Sequence, residues 1–315
     1  QLGLGLAYLG PMSTTSSERR QIAGIAVPVS LEFMLILVLN FINQVIVGVL
    51  GATAIAAVGF ANSIIFVLVL TFGALGISVS ILVARAFGGG RRSEMSHTVT
   101  AALLMSGALA LLGAAVPIIA PEAVLSVLGA SPSVASVGAE YMRLSAIAML
   151  PMILVAVLSG AMRSSGYPRS PLVATIATVP VQAALSFALV TGWGPFPDLG
   201  VPGAGWAALI TISAKFVILL VQAFVVHGIF DWSLPESVTQ WRVIVVPLVV
   251  LAIPLALTDL LWSSGIFLYN VIAQRLGDGA LTRVHGGLAF EGVRDAGAVV
   301  IAAGHEAGTR GRTDG

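Results

Sequence analysis

Seven separate stretches of this sequence are long and apolar enough to cross a lipid bilayer, and that recurrence constrains the fold more than any other feature. They lie near residues 22–49, 58–84, 98–120, 141–162, 171–191, 203–227 and 243–276. Each meets the roughly 20 residues that a helix needs to span the hydrocarbon core. A segment surrounded by lipid has no water to satisfy its peptide groups, so each is read as a helix that bonds internally. Only 9% of the residues are charged and 57% are hydrophobic, against about 25% charged in a soluble domain. Such a chain cannot coat a water-facing surface, and the lipid bilayer is its main partner. The expected fold class is an all-α polytopic membrane protein. A net charge of +1 argues against a nucleic-acid partner. With no cysteine, disulfides, thiol nucleophiles and Cys-ligated metals are excluded.

Breakers punctuate the joins: "GGGRR" after the second span, "SSGYPRSP" after the fourth and "GWGPFPDLGVPG" after the fifth. The basic residues sort by side. Arg19, Arg20, Arg85, Arg91, Arg92, Arg163, Arg169 and Arg242 fall on one side, whereas the opposite joins carry Glu122, Glu140 and Asp198 with Arg143 alone. The positive-inside rule then makes the N-terminus cytoplasmic and returns the sixth span to the cytoplasm. The apolar start "QLGLGLAYLGPM" lacks a basic region, reads poorly as a signal peptide and makes Met12 a plausible start. After Arg283 the character changes: eight charged residues fall in the last 33 positions and no span of adequate length remains.

The chain also repeats itself. Shifted by 226 positions, residues 22–56 lie over 248–282 without a gap, and ten of the 35 pairs are identical. They include Pro28 with Pro254, Phe41 with Phe267, and the exit Leu50-Gly51 with Leu276-Gly277. The seventh span therefore reads as the first helix of a second copy. Transporters are commonly built from such repeats, with the site between them. The organisation expected is a cytoplasmic N-terminal segment (1–21), a six-helix N-lobe (22–230), a cytoplasmic inter-lobe loop (231–242), the first helix of a C-lobe (243–282) and an aberrant or disordered tail (283–315). Another reading frame beyond Arg283 is expected to encode five further spans.

Polar residues inside the spans mark candidate functional positions. At 100° per residue, Glu32 and Asn43 lie about 20° apart on one helix, with Asn40 about 80° from Glu32. Asp259 and Asn270 have the same 11-residue spacing in the seventh span. Thr175, Thr178, Gln182 and Ser186 form one stripe of the fifth span. Hydroxyls and amides in membrane helices often serve only as interhelical glue, at about 0.6 kcal/mol each. A charge at the bilayer centre costs more, about 2.5–3.5 kcal/mol on the lenient scale, so Glu32 and Asp259 are candidates for transport or coupling. Pro28 and Pro254 precede them and read as fixed kinks. Lys215, the only lysine, lies about twelve residues from either end of the sixth span, too deep to snorkel. It needs an acidic partner, and Glu32 stands at a similar depth.

Several stretches together resemble the multidrug and toxic compound extrusion (MATE) family. They are "AVPVSLEFML", "VGVLGATAIAAVGFAN", "ILVARAFGGGRR", "EYMRLSAIAMLP", "VLSGAMRSSGYPRSP" and "GWGPFPDLGVPGAGWAALIT", in an order that covers roughly 20–282. The resemblance implies a multi-pass antiporter of the bacterial plasma (inner) membrane, twelve helices in two lobes. It would export cationic or amphipathic compounds against inward H⁺ or Na⁺. This chain supplies a MATE-type N-terminal lobe plus the first helix of the second lobe. Many members carry Asp in a "DTxxxG" pattern; here "NQVIVG" places Asn43 there, and Gln182 and Ser186 occupy the fifth-span positions. The acidic pair of the first lobe is missing, and Glu32 or a second-lobe site would carry coupling.

No enzyme is expected and no cofactor. "GVPGAGWAAL" follows no strand and is not a dinucleotide site. His97, His227, His285 and His305 have no metal-ligand spacing. Two other readings stand beside the antiporter: an inactive membrane fragment that only packs, and a related lipid-linked flippase, which needs a more cationic cavity than Lys215 alone supplies.

Overall fold

The computed structural model describes residues 16–127, 129–235 and 237–275. The start at Met12, the tail 283–315 and the exit Leu276-Gly277 lie outside the described residues. Every regular element among the described residues is a helix, with no strand among them: α1 (Ser16–Gly48), α2 (Ala52–Gly88), α3 (Arg92–Ile119), the short α4 (Pro121–Val127), α5 (Pro132–Ser164), α6 (Arg169–Thr191), α7 (Val201–Val221) and α8 (Val238–Arg275). A single π-helical turn, Gln222–Val226, closes α7. Seven helices are long and apolar enough to cross a membrane. They coincide with the seven expected spans, and the protein is a multi-pass membrane protein.

The helices overrun the apolar windows at their ends. α2 begins at Ala52 rather than 58, α5 at Pro132 rather than 141, and α8 at Val238 within the expected 231–242 loop. Hydropathy marks the part of a helix in hydrocarbon, whereas backbone bonding continues through the headgroup layer. Helix α4 leaves no mark in the sequence, because its seven residues are too few for a periodic signal.

The first compact unit ends at Asp259, and α8 continues beyond it to Arg275. In that unit α5 is the central helix: 72% of its apolar window is buried, against 44% or less for every other span. It packs on α2, α3 and α7; α6 packs on α7, and α1 on α6. One core cluster joins Val83, Met95, Val99, Leu158, Met162, Leu219 and Phe230 at the Arg-bearing end. A second joins Val47, Val58, Ala110, Leu125, Met142 and Met149 at the other end. Where α2 crosses α5, a methyl group on Gly160 would sit 2.7 Å from the Gly76 carbonyl oxygen, the small-residue contact by which membrane helices approach closely. The outward faces expose Leu37, Phe41, Leu112 and Ile119, a surface that lipid solvates and water does not.

Candidate functional site

Helix α1 carries Glu32 one turn beyond Pro28, on the face that packs against α6. Glu32 is 3% exposed, and its carboxylate is met by groups from three other helices. Arg163, in the last turn of α5, donates from Nη2 to Glu32 Oε2 at 2.9 Å. Lys215, in mid-α7, donates from Nζ to Oε1 at 3.2 Å. Thr175 of α6 places its hydroxyl 3.3 Å from the same oxygen, but donates more closely to the Pro171 carbonyl at 2.9 Å. One hydroxyl proton cannot serve both well, so the carboxylate is satisfied mainly by the two cations.

This arrangement answers why an apolar span tolerates a carboxyl group. Burial of a lone charge is costly; a pair with good geometry recovers the loss through Coulomb attraction in a medium of low dielectric. The cluster has two cations and one anion, so it is one positive charge in excess. The side chains of Glu32 and Lys215 are 4% and 8% exposed, and that of Arg163 is 28% exposed. The excess charge therefore sits nearest solvent at Arg163, whose Nε is buried without an acceptor.

The structure brings together Glu32 and Lys215, the pair that depth along the spans suggested. It adds Arg163, which in the sequence bears only on orientation. The available signal was its place one residue before the end of α5, from which a long side chain can reach back along the bundle. The other candidates do not join this cluster. Thr178 is buried and donates to the Ala174 carbonyl within its own helix at 2.9 Å. Asn40 is exposed, and Gln182 and Asp259 are half-buried. The side chain of Asn270 lies outside the described residues. Asn43 and Ser186 form a different pattern. Asn43 Oδ1 on α1 and Ser186 Oγ on α6 are both buried without a hydrogen-bond partner, and the two helices pack together. Among the described residues no group of three His, Asp or Glu side chains could hold a metal.

Comparison with known proteins places this bundle. A MatE family model matches residues 28–188. The chain is 30% identical over 267 residues to a probable multidrug resistance protein NorM of Bradyrhizobium diazoefficiens, covering 82% of this chain and 55% of that protein. It is 21% identical to a NorM protein of Halalkalibacterium halodurans, covering 87% of this chain and 60% of the relative. The chain thus spans little more than half the length of the curated relatives it matches. A solved MOP superfamily transporter of Pyrococcus furiosus superposes with a TM-score of 0.74 at 18% identity, over 87% of this chain and 60% of that one. A MATE protein in a bent conformation superposes with a TM-score of 0.74 at 18% identity, over 84% and 58%. The family match spans the helices that build the Glu32 cluster from α1, α5 and α6, and the chain belongs to the MatE family of transporters.

Proposed function

We propose that this chain forms the first lobe, residues 22–230, of an ion-coupled antiporter that exports cationic or amphipathic compounds against H⁺ or Na⁺, with α8 as the first helix of a second lobe. The observation that carries the reading is the pair of buried, unpartnered oxygens, Asn43 Oδ1 and Ser186 Oγ, on packed helices. Leaving such a group unpaired costs about 1–3 kcal/mol, and apolar side chains would pack there without that cost. Oxygens free of protein donors suit a cation or a hydrogen-bonding substrate. Asn40 and Gln182 extend the polar flank, and Thr178 lies on the same stripe of α6. Neither amide titrates, so Glu32 is the group through which protons would act, in competition with Arg163 and Lys215 for its carboxylate. Asp259 and Asn270 would supply the matching positions of the second copy.

The reading is tested by reconstituting the purified chain into liposomes and following ethidium movement under an imposed proton or sodium gradient. Gradient-dependent movement is expected. Permeation that ignores both gradients, or none at all, favours a chain that only packs. A second reading, a flippase for an anionic lipid-linked substrate, gains from Arg163 standing beside Lys215. It requires that an anionic amphiphile rather than ethidium be moved.

The same proposal puts the N-terminus and the α7–α8 join in the cytoplasm of a bacterial cell. The joins α2–α3, α5–α6 and α7–α8 carry Arg91, Arg92, Arg169 and Arg242 at or beside them, the distribution the positive-inside rule requires. Ser237 is exposed in the α7–α8 join, and the chain has no native cysteine. A Ser237→Cys variant is expected to react with an impermeant thiol reagent only after cells are permeabilised. Labelling in intact cells would reverse the orientation.

A further inference from the structure

The turn from α5 into α6 and the end of α7 build a second polar site, apart from the Glu32 cluster. Tyr167, Arg169, Ser170, Val173, Gln222 and His227 line an open cavity of about 720 Å³, with Gly24 of α1 on its wall. The π-helical turn Gln222–Val226 sets His227 in place; such turns recur at functional sites. The imidazole packs on Tyr167 with ring centroids 4.7 Å apart, and its Nε2 lies 3.4 Å from Ser170 Oγ.

The cations near this end differ in their engagement. Arg91 pairs with Glu94 at 2.7 Å, Arg92 with Asp231 at 3.6 Å and Arg163 with Glu32 at 2.9 Å. Arg169 has no ion pair or hydrogen-bond partner among the described residues, and none of the described residues lining the cavity is acidic. The oxygen of the Gln222 amide is buried without a partner, and half a turn of that amide presents its N–H groups to the same place. An arginine, a histidine, a hydroxyl and an amide thus line one cavity, with no carboxylate among the described residues on its wall. Below Arg169 on the same face of α6, at four and seven residues, stand Val173 and Ile176, 52% and 53% exposed. Val226 of α7, 64% exposed, lines the same cavity.

We propose that this cavity seats the phosphate group of an anionic phospholipid, with Arg169, Ser170 and His227 as its donors and an acyl chain lying over Val173 and Ile176. Basic pockets between membrane helices recognise such headgroups. The apolar strip beneath the cation is what distinguishes a lipid from free phosphate as the occupant. The inference does not depend on whether the chain transports anything.

The test is thermal unfolding of the purified full chain in neutral detergent. Dioleoylphosphatidylglycerol is expected to raise Tm by about 4 °C or more at saturation, and dioleoylphosphatidylcholine, with the same chains, by less than half of that. Arg169→Gln removes the difference between the two lipids. Arg85→Gln, at an exposed arginine of the same end outside the cavity, retains it. Equal shifts from both lipids, or equal losses in the two variants, would overturn the proposal in favour of diffuse surface charge. The same shift from millimolar inorganic phosphate would replace the lipid by a free anion. Should Arg169→Gln not fold, a headgroup-photoactivatable phosphatidylglycerol decides on the wild-type chain. Crosslinks concentrated in 166–173 and 222–227 are expected, and even labelling of all the Arg-bearing joins overturns the site.

Discussion

Glu32→Gln is expected to destabilise the lobe by about 3–5 kcal/mol, the cost of removing one partner from a buried ion pair. The carboxylate stands 3.2 Å from Lys215 Nζ and 2.9 Å from Arg163 Nη2. Its loss leaves a buried ammonium and a partly exposed guanidinium with no counter-charge. Lys215→Met alone is expected to cost less, because Arg163 still answers Glu32. Arg163→Gln is milder again, since Arg163 is the most exposed of the three side chains. The double variant Glu32→Gln/Lys215→Met should recover most of the stability, as buried ion pairs exchanged for neutral groups of similar volume often do. Thermal unfolding of the four purified proteins measures this cycle. A Glu32→Gln protein that unfolds with the wild type would show that the pair contributes nothing. If it also lost gradient-driven ethidium movement, Glu32 would be left with the coupling role instead. If it moved ethidium normally, neither role would survive.

How much of this was legible in the sequence follows from what kinds of signal each feature leaves. The seven spans were readable because a bilayer imposes a minimum run of apolar residues, and the α1–α8 repeat was readable because residues 22–56 and 248–282 align without a gap. The Glu32–Lys215 pair was within reach by counting residues from the span ends, since a mid-span charge requires a partner. Arg163 was not. Its position beside "SSGYP" marks a helix end and serves the orientation rule equally well, and only the tertiary packing, α5 on α7 with α1 held by α6, brings its side chain to Glu32. Asn43 and Ser186 were visible as polar residues, but their lack of partners depends on how α1 meets α6. The cavity around Arg169 was hidden for a related reason. Its walls come from 166–173, 222–227 and Gly24 of α1, which no periodicity connects, and the π-turn that aims His227 has no simple sequence mark.

The close approach of α6 and α7 holds Thr175 and Lys215 at the depth of Glu32, and one glycine permits it. A Cβ on Gly203 would lie 2.5 Å from the Leu189 carbonyl oxygen and 2.9 Å from the Val190 nitrogen, both backbone atoms of α6. No rotamer change can relieve that contact; the helices must part. Gly203→Ala is therefore expected to cost at least the 1–3 kcal/mol typical of overpacking, about 3 kcal/mol here, and Gly203→Val to prevent accumulation. Gly113 makes the control. Its Cβ would meet Phe72 Cε2 at 2.5 Å and Met149 Cε at 3.2 Å, both side-chain atoms. Gly113→Ala should thus be rescued by Phe72→Leu, whereas Leu189→Ala should do nothing for Gly203→Ala. Recovery in the second case would mean that the clash is carried by the side chain and not by the backbone. Lys215 lies about 18 Å along α7 from Gly203 at 1.5 Å per residue, far enough for independent effects to add within about 0.5 kcal/mol. The unfolding losses of Gly203→Ala and Glu32→Gln should therefore sum in the double variant. A shortfall above about 1 kcal/mol would show that α6 and α7 tilt as rigid rods, so that a wedge at one end already draws Lys215 away from Glu32.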